Sequence, residues 1–204
     1  LQQELRRKIF YLNLNGRQSL VLFQDVYCDY QLVANHIYNF MKREYMERFY
    51  LAVSRKFEGY ENLPSVLEQL EQQMEEKFYH PDKHIFTNED DPLNMAVGEV
   101  QDSQIMQAIS EDITRKDTEQ LQKHFECLKE KYHDNTQYSA MYIKFVFSNV
   151  IQELFQENQF SGERRLEHEI ERLYNCRNIK EILGVTEDNI KEYEAFLERS
   201  MDSS

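Results

Sequence analysis

The sequence predicts an α+β chain, mostly α, with a small α/β segment followed by an antiparallel helical bundle. Three observations carry this. Short windows of β-branched and aromatic residues crowd the chain before about residue 63. Beyond it, apolar residues recur at helical spacing. The breaks between those helical segments are short, as in bundles of antiparallel neighbours. The domain boundary is placed at residue 80, giving segments 1–80 and 81–204.

The elements follow in order. After a helix end, Ile9 to Leu14 and Ser19 to Gln24 read as strands. Asn15-Gly16 joins them as a two-residue turn of residues that tolerate positive φ. Leu32, Val33, His36, Ile37, Phe40 and Met41 mark an amphipathic helix. Arg48 to Val53 reads as a third strand, expected to pair with the hairpin after that helical crossover. Leu63 to Phe78 forms a helix with Leu63, Val66, Leu67, Leu70, Met74 and Phe78 on one face. A loop to about Pro92 follows, with Ile85 and Phe86 extended. Leu93 to Lys116 is helical through Val97, Val100, Ile105, Ile109 and Ile113. Asp117 caps the next helix, with Gln120 three residues on and Leu121, His124, Phe125 and Leu128 facing inward. Thr136 opens the most apolar helix, Gln137 to Gln156. Its expected buried face is Met141, Tyr142, Phe145, Val146, Asn149, Val150 and Leu154, so it is placed at the centre of the bundle. Ser161 opens a helix through Tyr174, and Thr186 caps a last one to Leu197.

The formal net charge of -13 argues against a phosphate-gripping surface, which needs clustered Lys and Arg. No apolar run approaches the roughly 20 residues that span a bilayer. Residue 1 is Leu and no signal peptide is visible. The expectation is a cytoplasmic fragment of a longer polypeptide. Cys28, Cys127 and Cys176 are far apart, lack metal-site spacing and read as reduced thiols.

Candidate chemistry is sparse. His80-Pro81-Asp82-Lys83-His84, followed by Glu89, Asp90 and Asp91, is the nearest approach to a ligand cluster. Pro81 prevents the helix that would bring the two histidines to one face, so a solvated acidic loop is the expectation. His36, His124 and His168 lie in helical patterns without a nucleophile motif and are expected to pack or to face solvent. The acidic runs are expected to be exposed helix faces. Phosphate-binding, dinucleotide, nucleophile-elbow and zincin motifs are missing. No catalytic, cofactor-binding or metal-ligating residue is assigned.

Asn15, Gly16, Arg17, Gln18 and Ser19, followed by an apolar strand, resemble the signature hairpin of GGDEF nucleotide cyclase domains. Ser54 and the helix from Leu63 to Tyr79 fit the same layout. That family carries an acidic pair at the turn to hold a divalent cation. Arg17 and Gln18 cannot ligate magnesium as carboxylates would. The hairpin is therefore read as a degenerate, non-catalytic cyclase-like segment.

The motif order resembles the middle region of AraC-type, YesN-like response regulators of two-component systems. Its parts are Glu76-Lys77-Phe78-Tyr79, then Lys116 to Leu121, the apolar helix Tyr138 to Leu154, and Cys176-Arg177-Asn178-Ile179-Lys180-Glu181-Ile182. The resemblance implies a role, not an enzyme: a non-catalytic connecting region relaying receiver state to an AraC-type helix-turn-helix domain in transcription regulation. Its implied partners are the flanking receiver and DNA-binding domains and a sensor histidine kinase acting on the receiver. DNA would be met only through the missing domain, with no membrane partner and no cofactor, and a homodimer is compatible with the role. The last helix, Thr186 to Leu197, is the expected switching element. The alternative is a helical domain sensing a small hydrophobic effector, motivated by the aromatic-rich helix Tyr138 to Phe155.

Overall fold

The computed structural model describes residues 9–24, 29–46, 48–87, 99–133, 136, 138–156 and 163–202. The chain divides into two units. The first is Leu1–Met74 with Lys83–Asp90, and the second is Glu75–Asp82 with Asp91–Ser204. The division interleaves: a short piece on either side of residue 80 belongs to the unit opposite the one its position in the sequence suggests. Two physical causes set this. Phe78 and Tyr79 bury in the helical core, and residues 85–87 are claimed by a strand of the first unit.

In the first unit, β1 (Ile9–Asn15) and β2 (Gln18–Phe23) form an antiparallel hairpin. The ladder runs regularly from Ile9↔Phe23 to Asn13↔Ser19 and then slips one residue before Asn15↔Gln18. The turn residues are therefore Gly16 and Arg17, not Asn15 and Gly16. Gly16 does not take up a positive φ. The Asn15 side chain closes the turn instead: its Oδ1 accepts from the Arg17 backbone N–H at 2.8 Å, an Asx turn.

Helix α1 (Tyr30–Tyr45) starts at Asp29, whose carboxylate accepts from the backbone N–H groups of Gln31 and Leu32 at 3.0 Å each. It ends in left-handed Met46 (φ 52), with Lys42 and Arg43 in the last turn favouring the dipole. Ala34 and Ile37 are its buried residues. Leu32 and His36, expected inside, are exposed, because the inner stripe is centred on Ala34, Ile37 and the half-buried Tyr38.

Two three-residue strands, β3 (Leu51–Val53) and β4 (Ile85–Thr87), pair in parallel with Ala52 opposite Phe86. This corrects the expectation that the third strand joins the hairpin; the hairpin is a separate two-stranded sheet. Parallel strands need a crossover, and α2 (Leu63–Glu75) supplies it. Residues Tyr60–Asn62 and Glu76–Phe78 add single 3₁₀ turns on either side of it. Rings brace the strand pair. Tyr38 and Tyr50 both stack on His84, with centroids 5.0 and 5.4 Å from its ring. Phe86 lies fully buried beneath Tyr50.

The second unit contains α3 (Glu99–Arg115), α4 (Thr118–His133), α5 (Ala140–Gln156), α6 (Glu163–Tyr174) and α7 (Ile179–Asp202). A two-residue link through left-handed Lys116 (φ 58) folds α4 back along α3. Asp117 caps α4 as expected, accepting from the Gln120 backbone N–H at 3.1 Å. On α4, Leu121, Phe125 and Leu128 are buried. Ile109 and Ile113 meet them from α3, while Val97 falls outside the described residues.

Helix α5 is central, packing on α3, α6 and α7. It starts later than expected, with Ser139 Oγ accepting from the Tyr142 N–H at 3.2 Å. Its buried face is also rotated. Ile143, Val146, Phe147, Val150, Ile151 and Leu154 are buried, whereas Met141 and Phe145 are 64% and 54% exposed. Lys144, Asn149, Gln152, Glu153 and Gln156 share the side opposite the buried stripe, and Met141 and Phe145 stand among them, so the polar residues mark the outer face.

The second unit also corrects the chain's last element. Thr186 caps nothing: α7 runs unbroken for 24 residues from Ile179. Thr186 is fully buried, and its hydroxyl donates to the Ile182 carbonyl at 3.0 Å. A Thr can satisfy its hydroxyl within the helix, so the cap residue type was a false stop signal. The start expected for α6 at Ser161 lies outside the described residues.

Truncating Phe147 or Ile151 to Ala should cost roughly 3–5 kcal/mol of unfolding free energy, against about 0.5 kcal/mol for Met141→Ala or Phe145→Ala. Urea unfolding of the four variants checks which stripe of α5 is inside. Equal losses would contradict the observed rotation.

Candidate functional site

The turn from Asn15 to Ser19, the link from His80 to His84 and the Cys176–Ile182 element are the positions to test. At the turn, Asn15 Nδ2 also donates to Gln18 Oε1 at 2.6 Å, and the Ser19 hydroxyl bonds that of Tyr11 at 2.7 Å. These side chains are engaged with one another and hold the bend.

His80 falls in the second unit and His84 in the first. His84 is spent on ring stacking, and Glu89, Asp90 and Asp91 lie outside the described residues. Among the described residues, no three His, Cys, Asp or Glu side chains are grouped to hold a metal. His36 is exposed on α1.

His124 differs from its expectation. It does not simply pack: Nδ1 lies 2.5 Å from Oδ2 of Asp112, which is buried on α3. The imidazole answers a carboxylate that would otherwise be buried alone, at a cost of several kcal/mol. Nearby, Ser110 donates to Glu153 across to α5 at 3.0 Å. These groups tie helices together; none presents a nucleophile to a base.

The junction of α6 and α7 is the richest constellation. Asn178 caps α7, its Oδ1 accepting from the Glu181 N–H at 3.0 Å. Glu181 reaches back to the Arg177 N–H at 2.7 Å and to Asn178 Nδ2 at 2.8 Å. This is a variant of the capping box: Asn178 serves the Glu181 N–H, while the Glu181 carboxylate serves the backbone N–H of Arg177, one residue before the cap, and the Asn178 side chain. Cys176 ends the link, buried, with Sγ 3.4 Å from the Arg172 carbonyl. Burial pushes its thiol up from the ordinary value, and the nearby Glu181 charge adds to this. A nucleophilic thiol needs the opposite.

Beside it, an open groove of about 730 Å³ is lined by His168, Glu171, Arg172, Cys176, Glu181 and Asp188, among others. Its charges are mutually bonded. Arg172 spans Glu169 at 3.4 Å and Asp188 at 2.8 Å. Asn189, buried on α7, donates to Glu169 at 3.1 Å and to the Val185 carbonyl at 2.8 Å. Burial raises the Glu169 carboxyl, but hydrogen bonds from Asn189 and His168 and the Arg172 charge outweigh it and hold it below the ordinary value. The arrangement locks α6 to α7.

Sequence reasoning missed the Asp112–His124 pair and the Glu169–Asn189–Arg172–Asp188 network, because both join residues on different helices. The capping box was readable: Asn178 and Glu181 stand at its fixed spacing. The aromatic side of α5, the motive for an effector pocket, is filled by ring packing. Tyr138 sits 4.9 Å from Tyr132 and 5.5 Å from Tyr142, and Phe147 lies 5.9 Å from Tyr132. Tyr79 is drawn into the same core, its hydroxyl donating to the Tyr138 carbonyl. Burial pushes that phenol well up. No helix among the described residues is long and apolar enough to cross a membrane.

Two outcomes follow from this junction. At neutral pH exposed Cys127 should be alkylated by iodoacetamide at least about tenfold faster than Cys176, as read by peptide mass mapping. Glu169 is depressed in the folded state, so its stabilisation is complete above the unfolded carboxyl value and lost as pH falls through the folded one. Glu169→Gln should therefore flatten the fall of the melting temperature between about pH 5 and pH 3.

No family model, curated protein or solved structure matches this chain.

Proposed function

We propose that the chain is a non-catalytic regulatory and connecting region of a DNA-binding response regulator. It would relay receiver state to an AraC-type helix-turn-helix domain in transcription regulation. The observation that carries this reading is how the motif residues are used. Asp117 and the Asn178–Glu181 pair, central to the resemblance, are spent on helix ends, and Phe78, Tyr79 and Ile182 on the core. Motifs that build helix junctions suit a part whose work is mechanical. Under this reading, the switching element is the whole of α7, not its second half. A relay needs two packings of such an element with different affinities for the flanking domains. Rigid helices that shift against their neighbours are one known route.

The test uses the intact regulator, with this segment replaced by a Gly/Ser linker of matched span. Phosphorylation by the sensor kinase should raise DNA affinity in the parent by about fivefold or more, and by roughly onefold in the replacement. Coupling that survives replacement would overturn the reading.

A further inference from the structure

Gly184 stands inside α7 where neither packing nor backbone geometry calls for a glycine. It does not take up a positive φ. Among the described residues, a Cβ built on it would meet no atom within 4 Å. It lines the open groove beside α6, so this side of the helix is unfilled. A glycine in a helix interior weakens the helix about fivefold relative to alanine.

Two neighbours loosen the same turn. Thr186 is fully buried and donates to the Ile182 carbonyl at 3.0 Å, and Asn189 Nδ2 donates to the Val185 carbonyl at 2.8 Å. A carbonyl has two lone pairs, so one that accepts a side chain keeps a partner when its main-chain bond lengthens. Hydroxyl bonding of this kind bends helices, and kinks gather at glycine and where side chains enter the main-chain ladder.

The ties of α7 divide at this turn. Beyond it, Asn189 reaches Glu169 on α6, Tyr193 reaches the Ile113 carbonyl on α3, and Glu194 accepts from Gln122 on α4. Before it, Arg177, Asn178 and Glu181 bond one another, and Cys176 bonds the turn that precedes it. Lys180 pairs with Asp82, both largely exposed, and such pairs are weak.

We propose that α7 flexes at Gly184–Thr186, and that Cys176–Leu183 opens there as one unit while Asn189–Leu197 stays docked. Ile179, Ile182 and Leu183 are buried in the closed form, so the open form is the minor one. Opening lifts the start of α7 from the core and uncovers the Cys176 thiol. The inference stands without the regulatory reading above. Under that reading it places the bend at which α7 would pass between its two packings.

Alkylation of Cys176 by N-ethylmaleimide in the 204-residue chain, followed by peptide mass mapping up to about 2 M urea, tests it. A local opening exposes little surface, so the rate at Cys176 should stay flat at low urea and rise only when global unfolding takes over. Gly184→Ala should slow the flat phase about fivefold. Lys191→Gly, on the exposed side of the docked part, should weaken global stability by a similar factor and leave the flat phase unchanged. Circular dichroism of both variants should match the parent, because Gly184 has room for a methyl group and Lys191 is exposed. A rate that climbs with urea from the outset would overturn the proposal, since Cys176 would then be reached through global unfolding. So would a flat phase that Gly184→Ala leaves unaltered, which would place the opening in the link before α7. A flat phase that Lys191→Gly accelerates would also overturn it, because the whole helix would then be moving.

Discussion

Everything in the second unit is arranged around the burial of α5. Ile143, Phe147, Val150 and Ile151 are fully buried, and a side chain of that size contributes about 1.5–3 kcal/mol when removed from water. Three helices pack on this one. Phe125 and Tyr132 of α4 also meet Phe147 edge-on, at 6.4 and 5.9 Å. Such ring pairs add directionality to area burial. The polar ties only make sense against this core. Tyr193 on α7 donates from its buried hydroxyl to the Ile113 carbonyl at 2.8 Å. Gln122 reaches Glu194 at 2.8 Å. Each contributes about 1 kcal/mol net, yet each fixes which residues of two packed helices stand opposite one another.

Helix ends carry the next level of specification. Asp29, Asp117, Ser139 and Asn178 each satisfy backbone donors that the first turn leaves without partners. Arg165–Glu192 and Arg172–Asp188 link α6 to α7, and Lys180–Asp82 ties the start of α7 to the segment after Tyr79. Those pairs are largely exposed and individually weak. The Glu169–Asn189 contact is more enclosed and makes the α6–α7 junction directional.

Legibility followed physical range. Local signals read true: the cap at Asp117, the helix begun at Leu63, and the extended Ile85–Phe86. Long-range partnership did not. No local pattern says that β3 pairs with β4 rather than with the hairpin, since a three-residue strand lacks room for a periodicity. The α5 stripe was misjudged by about one position, because it was drawn through the apolar Met141 and Phe145, which stand on the polar side with Lys144, Gln152 and Gln156. Thr186 was misread because cap-type residues also occur where a hydroxyl can bond the preceding turn. At the candidate site, Cys176 and Glu181 were visible as a motif, but their architectural use needed the hydrogen bonds. Asp112 gave no cue at all, since a carboxylate directly after Glu111 on a helix looks solvated.

The interleaved division of the chain has a consequence for dissection. A single scission near residue 80 would cleave in the short run that the second unit borrows, and would take β4 away from β3. The amino-terminal product would keep Phe78 and Tyr79 with nothing to bury them, while the carboxy-terminal product would carry Phe86 without the sheet that covers it. Neither piece would be a transplantable module. The two units are therefore interleaved in the order of the chain, and no single cut near residue 80 leaves either one intact.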